Sequence, residues 1–365
     1  MTKTAPAAAA HKGRGATHNP DNRFFTTRSE PANDGWASAP DPLQPLRTTV
    51  TAVQSRSIIS SNTSPDIPFT HSINPYQGCE HGCVYCYARP SHAYLDLSPG
   101  LDFETRLFAK TNAAELLRVE LSHPRHKVGI LNIGGNTDPY QPIERDFRIT
   151  RSLLEVLLET RHPLTLVTKN ALVLRDIDLL QELARLNLVR VFISVTSLDP
   201  ALSQRLEPRA SAPHRRLLSI SRLRDAGVPV GVMVAPLIPF VNDDEVEEIV
   251  AAVAEVGAES ATYVMVRLPL EVKALFRDWL QEHMPLRAER VMAAIQDMRG
   301  GRDNDPRFGT RMRGEGNLAE LLRQRFALAV RKNGLHQARS GLRTDLFIPP
   351  ERPRKVKDEK QFALF

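Results

Sequence analysis

The chain has 365 residues, 42% of them hydrophobic and 25% charged, with 48 Lys and Arg against 42 Asp and Glu. That length holds one large α/β domain of about 250 residues plus tails, and the formal net charge of +6 permits contact with nucleic acid without requiring it. No apolar run approaches the ~18 residues that cross a bilayer. The only three cysteines lie close together, which excludes a disulfide framework and points to a reducing compartment.

In chain order, residues 1–45 are rich in Ala, Pro, Gly, Asn and basic residues, and are expected to form a disordered basic tail. The tail begins without the apolar segment of a secretory signal, so the expected location is cytoplasmic. Its Lys12-Gly-Arg-Gly-Ala16 stretch has the chemistry to meet phosphates, with a solvated tail as the default reading. From about Phe69 to Pro269 short β-branched runs alternate with helical stripes. Strands are expected at 69–74, 127–133, 164–168, 189–195, 228–235 and 261–267. Helical stripes fall on 149–158, on Leu174, Ile177, Leu180 and Leu183, and on Leu217, Ile220 and Leu223, with Gly227 as a stop. Asn242 and Glu245 stand at capping-box spacing before Val246, Ile249, Val250 and Val253.

Past Pro269 the pattern turns helical, with Trp279, Val291, Met292 and the run 318–330 as packing positions. The division is therefore a tail at 1–45, a strand–helix domain at 46–270, a helical extension at 271–340 and a charged tail at 341–365. Six strand–helix repeats indicate a right-handed parallel sheet, and both an open partial barrel and a doubly wound sheet satisfy them. In either, reactive groups gather where strands end.

The cysteine loop stands at such an end. Cys79, Cys83 and Cys86 follow the first strand at spacing x3 then x2. Three thiolates suit a [4Fe–4S] cluster with one iron left open. A Cys3His zinc site completed by His71, His81 or His92 is the competing reading. Gly78 and Gly82 let the backbone wrap closely, and Gly134-Gly135 ends the second strand in a tight, approachable turn. The acidic run around Asp243-Asp244-Glu245 reads as helix N-terminal charge rather than a metal site. No P-loop and no nucleophile–His–Asp arrangement stands out.

A C-x3-C-x2-C run with an aromatic before the last cysteine resembles the radical S-adenosylmethionine (SAM) superfamily. The stretches 74–90, 136–142, 168–170 and 206–209 are similar to its spore photoproduct lyase-like branch, often labelled DNA repair photolyase, and the likeness runs over about residues 45–335. The resemblance implies a partial (β/α)6 radical SAM barrel with a helical C-terminal extension and a disordered N-terminal tail. It implies a [4Fe–4S] cluster on Cys79, Cys83 and Cys86, with SAM chelated by the open iron and cleaved to a 5′-deoxyadenosyl radical. Tyr85 would pack near adenine, core packing being its other reading, and Tyr87 would belong to a hydrogen-atom relay. Gly134, Gly135, Asn136 and Thr137 would meet the methionine end of SAM. Lys169 would pair with its carboxylate, and Ser194 and Thr196 with its carboxylate or ribose. Arg209 would clamp a carboxylate, a surface pair with Glu207 being the alternative. The backbone at 263–266 would face adenine.

One departure stands out: Asn136 occupies the place where the branch carries a non-cluster cysteine, and no spare cysteine exists. An amide does not donate a hydrogen atom to a carbon radical as a thiol does, so thymine-dimer reversal by that relay is not expected. The resemblance implies a one-electron donor such as flavodoxin or ferredoxin, and a nucleic-acid-related substrate. A peptide or small-molecule substrate, or a non-enzymatic binding module stapled by metal, are the alternatives. The last five residues, Gln361-Phe-Ala-Leu-Phe365, are similar to the Gln-x-x-Leu-Phe peptide that docks on the bacterial DNA polymerase sliding clamp. Packing of that pentapeptide on its own domain is the competing reading.

Overall fold

The computed structural model describes residues 11, 13–25, 46–336 and 341–351. Lys12, most of the expected N-terminal tail, and residues 352–365 with Arg352, Arg354, Lys355, Lys357, Lys360 and the Gln361–Phe365 peptide lie outside them. The strands of the described residues, in chain order, are β1 (Thr49–Val53), β2 (Ile59–Ser61), β3 (His71–Ile73), β4 (Tyr76–Gln77), β5 (Arg106–Lys110), β6 (Leu131–Ile133), β7 (Leu164–Thr168), β8 (Val189–Ser194), β9 (Val230–Leu237) and β10 (Ser260–Met265).

The larger sheet runs β10-β9-β8-β7-β6-β3-β2. Its six strands from β3 to β10 pair in parallel throughout and keep chain order. A doubly wound sheet reverses at a switch point, and this one never does. Unbroken order with helical crossovers is barrel topology, and six strands make a partial barrel. β2 adds an antiparallel edge beside β3, which the sequence pattern did not indicate.

Each strand divides its side chains by the period of two. In β8, Val189, Val191 and Ile193 join the apolar core with Leu180, Leu183 and Leu223 of the outer helices, while Arg190, Phe192 and Ser194 line the cavity inside. The helices Ile149–Glu159, Ile177–Arg185, Pro213–Asp225 and Val246–Glu255 supply the covering layer. Gly227, at φ 74°, ends the third of these. The Asn242–Glu245 capping box does not form. The buried Asn242 side chain accepts from Ile238 N at 2.7 Å and donates to Thr196 O at 2.7 Å, so it ties two barrel loops together instead. Glu245 reaches Ser197 Oγ at 2.6 Å.

A small sheet, β1-β5-β4, stands beside the barrel. It holds the entry to the cysteine loop, since β4 pairs with β5 and Lys110 N donates to Pro75 O at 3.1 Å. After β10 come helices Val272–His283, Ala288–Asp297 and Gly316–Lys332. The last of them docks on the barrel through the Arg325–Glu247 pair at 2.7 Å and the Tyr263–Phe326 rings at 4.8 Å. Residues 341–351, expected as part of a charged tail, run along the barrel. Phe347 lies 5.3 Å from the rings of both His126 and His162, and Ile348 N donates to Thr160 O at 2.8 Å. Among the described residues no helix is long and apolar enough to cross a membrane.

The N-terminal region also departs from the expected unbroken tail, because residues 13–25 pack against the cysteine loop. Gly15 N and Ala16 N donate to the buried Glu104 carboxylate at 3.0 and 2.9 Å, and Arg14 donates to Glu104 O at 3.0 Å. Asn22 donates to Ala93 O at 2.9 Å, and Arg23 pairs with Glu271 at 2.8 Å. This strap sits so close that a Cβ on Gly15 would lie 1.8 Å from the Gly82 carbonyl oxygen. Gly15→Ala therefore forces backbone apart, at a cost of about 1–3 kcal/mol by analogy with overpacked cores. Urea denaturation should show that loss, and limited proteolysis should cut the strap faster in the variant.

Candidate active site

The cysteine loop is shaped by two left-handed glycines, Gly78 at φ 75° and Gly82 at φ 67°. A Cβ at Gly78 would come within 2.9 Å of Phe103 O, and one at Gly82 within 2.7 Å of the Glu104 carboxylate. Cys79 N donates to Phe103 O at 2.9 Å, and Val84 N to Leu206 O at 3.2 Å. From behind, the fully buried Arg89 donates to Cys83 O at 2.9 Å, Gly82 O at 3.1 Å and Gly100 O at 2.9 Å, and pairs with Glu104 at 2.5 Å. Backbone and cation together turn the three thiols one way.

All three thiols line one cavity of about 1700 Å³ that runs through the barrel, and they stand at the end where the parallel strands finish. Tyr85, Tyr87, Gly134, Gly135, Asn136, Lys169 and Ser194 share its wall. Thr137, Thr196 and Arg209 do not. Thr137 is buried, its hydroxyl donating to Tyr76 O at 2.9 Å. Arg209 turns to the far side of the loop and pairs with Glu80, which also accepts from Thr48 at 2.6 Å. The alternative Glu207–Arg209 surface pair does not form either, because Glu207 is buried against Arg216.

Glu207 organises one side of the cavity. Tyr85 donates its hydroxyl to Glu207, Thr196 does so at 2.7 Å, and Arg216 donates to the second carboxylate oxygen and to Ser194 O at 3.1 Å. Burial opposes ionisation of Glu207, but the Arg216 and Lys169 charges and the two hydroxyls hold it below its ordinary value of 4.5. Asp138 does similar work opposite. It accepts from Thr168 Oγ1 at 2.7 Å, Lys169 N at 2.8 Å and Tyr140 N at 2.9 Å, joining the second-strand loop to the end of β7. Burial raises its pKa, yet His81, 3.3 Å away, and these hydrogen bonds keep it below 3.8. Tyr87 crosses the mouth, its hydroxyl donating to Gly135 O.

The chemistry of the donor set, three thiols on one cavity wall and no fourth cysteine in the chain, suits an iron–sulfur cluster with one open iron. Among the described residues no three His, Cys, Asp or Glu side chains converge on one ion-sized point. Of the three candidate fourth ligands, His92 Nε2 meets Arg106 O at 2.9 Å and His71 meets Thr70 at 2.9 Å, while His81 lines the cavity with Nε2 at 3.1 Å from Asn170 and Nδ1 at 3.3 Å from Asp138 without a hydrogen bond. Burial pushes all three thiols up, with Asp138 adding to this at Cys79 and Glu207 at Cys83. These thiols would have to give up their protons to hold a metal. Gly134, at φ 92°, has no room for a side chain, since a Cβ would meet Val167 O at 2.4 Å. Backbone is thus left bare beside the thiols. The sequence reading assigned no role to Asp138, Arg216 or Arg267. Asp138 closes the 134–138 turn and was visible there, whereas nothing local separates Arg216 from its exposed neighbour Arg215.

Residues 73–253 match the family described as the Radical SAM superfamily, a span that holds the three cysteines, the Gly134–Gly135 turn and Lys169. The chain belongs to that superfamily. An uncharacterized protein of Mycobacterium tuberculosis is 36% identical over 221 residues, covering 60% of this chain and 65% of that protein's own length. An uncharacterized protein of Methanocaldococcus jannaschii is 27% identical over 213 residues, 58% of this chain and 76% of the relative. Among solved structures, a spore photoproduct lyase mutant superposes with a TM-score of 0.55 at 15% identity, covering 78% of this chain and 80% of that one. Another mutant of the lyase, with bound AdoMet and dinucleoside spore photoproduct, gives 0.54 at 15% identity over 80% and 82%. At such identity the likeness is one of fold.

The Glu207–Arg216 pair makes a testable demand. Arg216→Leu leaves a buried carboxylate uncompensated and should cost about 3–5 kcal/mol near neutral pH. Because folding depresses the Glu207 pKa, its stabilisation is present above about 4.5 and is lost as pH falls through the folded value. Denaturation curves for wild type and variant should therefore differ widely at pH 7 and converge only once the pH has fallen below the depressed, folded-state value of Glu207.

Proposed function

We propose that the chain is a radical SAM enzyme that takes a hydrogen atom from a phosphate-bearing, nucleic-acid-related substrate. The observation that carries the chemistry is the meeting of three thiols, a bare Gly134–Gly135 backbone and Lys169 in one cavity. In this reading Cys79, Cys83 and Cys86 hold a [4Fe–4S] cluster. When bound, cluster and SAM supply a one-electron cleavage of the sulfonium and a 5′-deoxyadenosyl radical. The protein's part is to hold and orient. Lys169 pairs with the SAM carboxylate, Ser194 meets its polar end, and the Gly134–Gly135 turn admits the methionine end. Glu207, ionised and locked by Arg216, fixes the Tyr85 ring against the cysteine loop. Tyr87 stands next to Asn136 as a candidate hydrogen carrier. With no fourth cysteine in the chain, a thiol relay has no member here.

The substrate class is inferred from charge: seven Lys and Arg side chains line the cavity against three Asp and Glu. Such a surplus concentrates anions. A flavodoxin- or ferredoxin-like protein is the proposed electron donor.

Anaerobic reconstitution with iron and sulfide should give a brown protein that forms 5′-deoxyadenosine from SAM and dithionite. Cys83→Ala should lose cluster absorbance and bring deoxyadenosine to background. A colourless protein with stoichiometric zinc would defeat the reading.

The proposed clamp contact through Gln361, Leu364 and Phe365 is tested separately. Purified sliding clamp should be retained by the immobilised full chain and released when Leu364 and Phe365 are deleted. Equal retention by both refutes it.

A further inference from the structure

The deeply placed arginines of this protein differ in their partners. Arg89 has Glu104 and three carbonyls, Arg216 has Glu207, and Arg299 donates to Thr310 O, Arg311 O and Val266 O at 2.8–3.1 Å. Arg267, two residues past β10, has no such oxygen. Its Nε is buried without a hydrogen-bond partner, and one terminal nitrogen faces only the Met312 sulfur at 3.8 Å. Among the described residues no carboxylate lies within ion-pair distance of it. The nearest acid that acts on it, Asp66, is already bound to Arg311, which sits beside Arg267 as a like charge.

The guanidinium is aimed at the reaction site. It lies 5.3 Å above the ring of Tyr87, the residue next to Cys86, and lines the cavity that the three thiols share. Lys169 acts on the other flank, on Cys83 and Glu207. Of the seven cations on the cavity wall, Lys169 stands with the thiols and is assigned to the SAM carboxylate, and Arg267 is the one that lies over Tyr87. Arg267 is half-buried and its charge has no carboxylate in ion-pair distance, so an anion in the cavity would stabilise it. A guanidinium offers five donors in a planar fork, which two oxygens of one anion fill.

We propose that Arg267 is the receptor for a phosphate of the substrate, docking it across Tyr87 beside the cluster loop. This rests on the radical SAM reading and deepens it. Arg267 lies outside the 73–253 span of the superfamily match, as suits a residue that sets which substrate is taken rather than how SAM is cleaved. The phosphate belongs to a polynucleotide or to a free nucleotide, and the test separates the two.

Reconstituted full-length protein with SAM is titrated into a fluorescein-labelled single-stranded oligodeoxynucleotide, with a mononucleotide as competitor. Wild type should bind, and Arg267→Gln should weaken the oligonucleotide at least tenfold and flatten its salt dependence by about one unit of slope. Arg267→Lys should recover part of the loss. Strong competition by the mononucleotide assigns the phosphate to a free nucleotide, and weak competition to a polymer. Thermal melting gives an independent readout. Because the half-buried Arg267 makes no ion pair, the ligand-free Arg267→Gln protein should be as stable as wild type or more so. The proposal is overturned if wild type binds neither probe, if the variant binds like wild type, or if the variant melts well below it. It is also overturned if SAM binding weakens as much as probe binding, which would give Arg267 to the SAM carboxylate. Failure of wild type to produce deoxyadenosine would instead sink the radical SAM reading, so the two failures are told apart.

Discussion

One buried ion pair, Arg89–Glu104, governs the working end of this molecule. Both side chains are fully excluded from solvent, a placement tolerated only when every remaining donor and acceptor is used. Here they are used on the cysteine loop and its cover. Arg89 gathers the carbonyls of Gly82 and Cys83, and Glu104 accepts the amides of Gly15 and Ala16. The loop is thereby gripped from behind, with its sulfurs toward the cavity. The N-terminal strap is part of the grip rather than an appendage.

The barrel decides what the sulfurs face. Because the six parallel strands keep chain order, their C-terminal ends form one rim. The period of two sends alternate residues inward at every strand. That arrangement brings together groups far apart in sequence, from Gly134 to Lys169 to Ser194 to Arg267. Within this rim the charges are treated unequally. Glu207 is locked by Arg216 and two hydroxyls, and Asp138 by hydrogen bonds from Thr168, Lys169 N and Tyr140 N, which makes them scaffolding. Arg267 has no oxygen to bind, which leaves it free for a ligand. Matched charge supports the site, and unmatched charge addresses it.

Much of this was legible beforehand. The strand expected at 164–168 is β7 to the residue, and the one at 189–195 is β8 with one residue fewer, because long runs of β-branched residues between helical stripes are strong local signals. The cysteine spacing likewise announced its chemistry. What escaped was structure with no local pattern. β4 has two residues and exists only because β5 pairs with it. Residues 13–25 have the composition of a tail, and their order comes from contacts roughly ninety positions away. Asn242 stands at cap spacing, yet its side chain is taken by the Thr196 carbonyl after β8, the Pro236 carbonyl in β9 and the Ile238 amide.

Spacing and periodicity alone settled that three thiols share one loop, that strands and helices alternate six times, and that no further cysteine is at hand. These are properties of neighbours, fixed by covalent distance and by the repeat of each backbone conformation. Folding settled which cation meets which anion. Arg209 and Arg216 look alike in the chain, and each lies within nine residues of Glu207. Only the closing of the barrel buries Arg216 against that carboxylate, turns Arg209 outward to Glu80, and leaves Arg267 facing the cavity. Pairing of charges is a long-range outcome because desolvation and distance, not sequence separation, determine its strength.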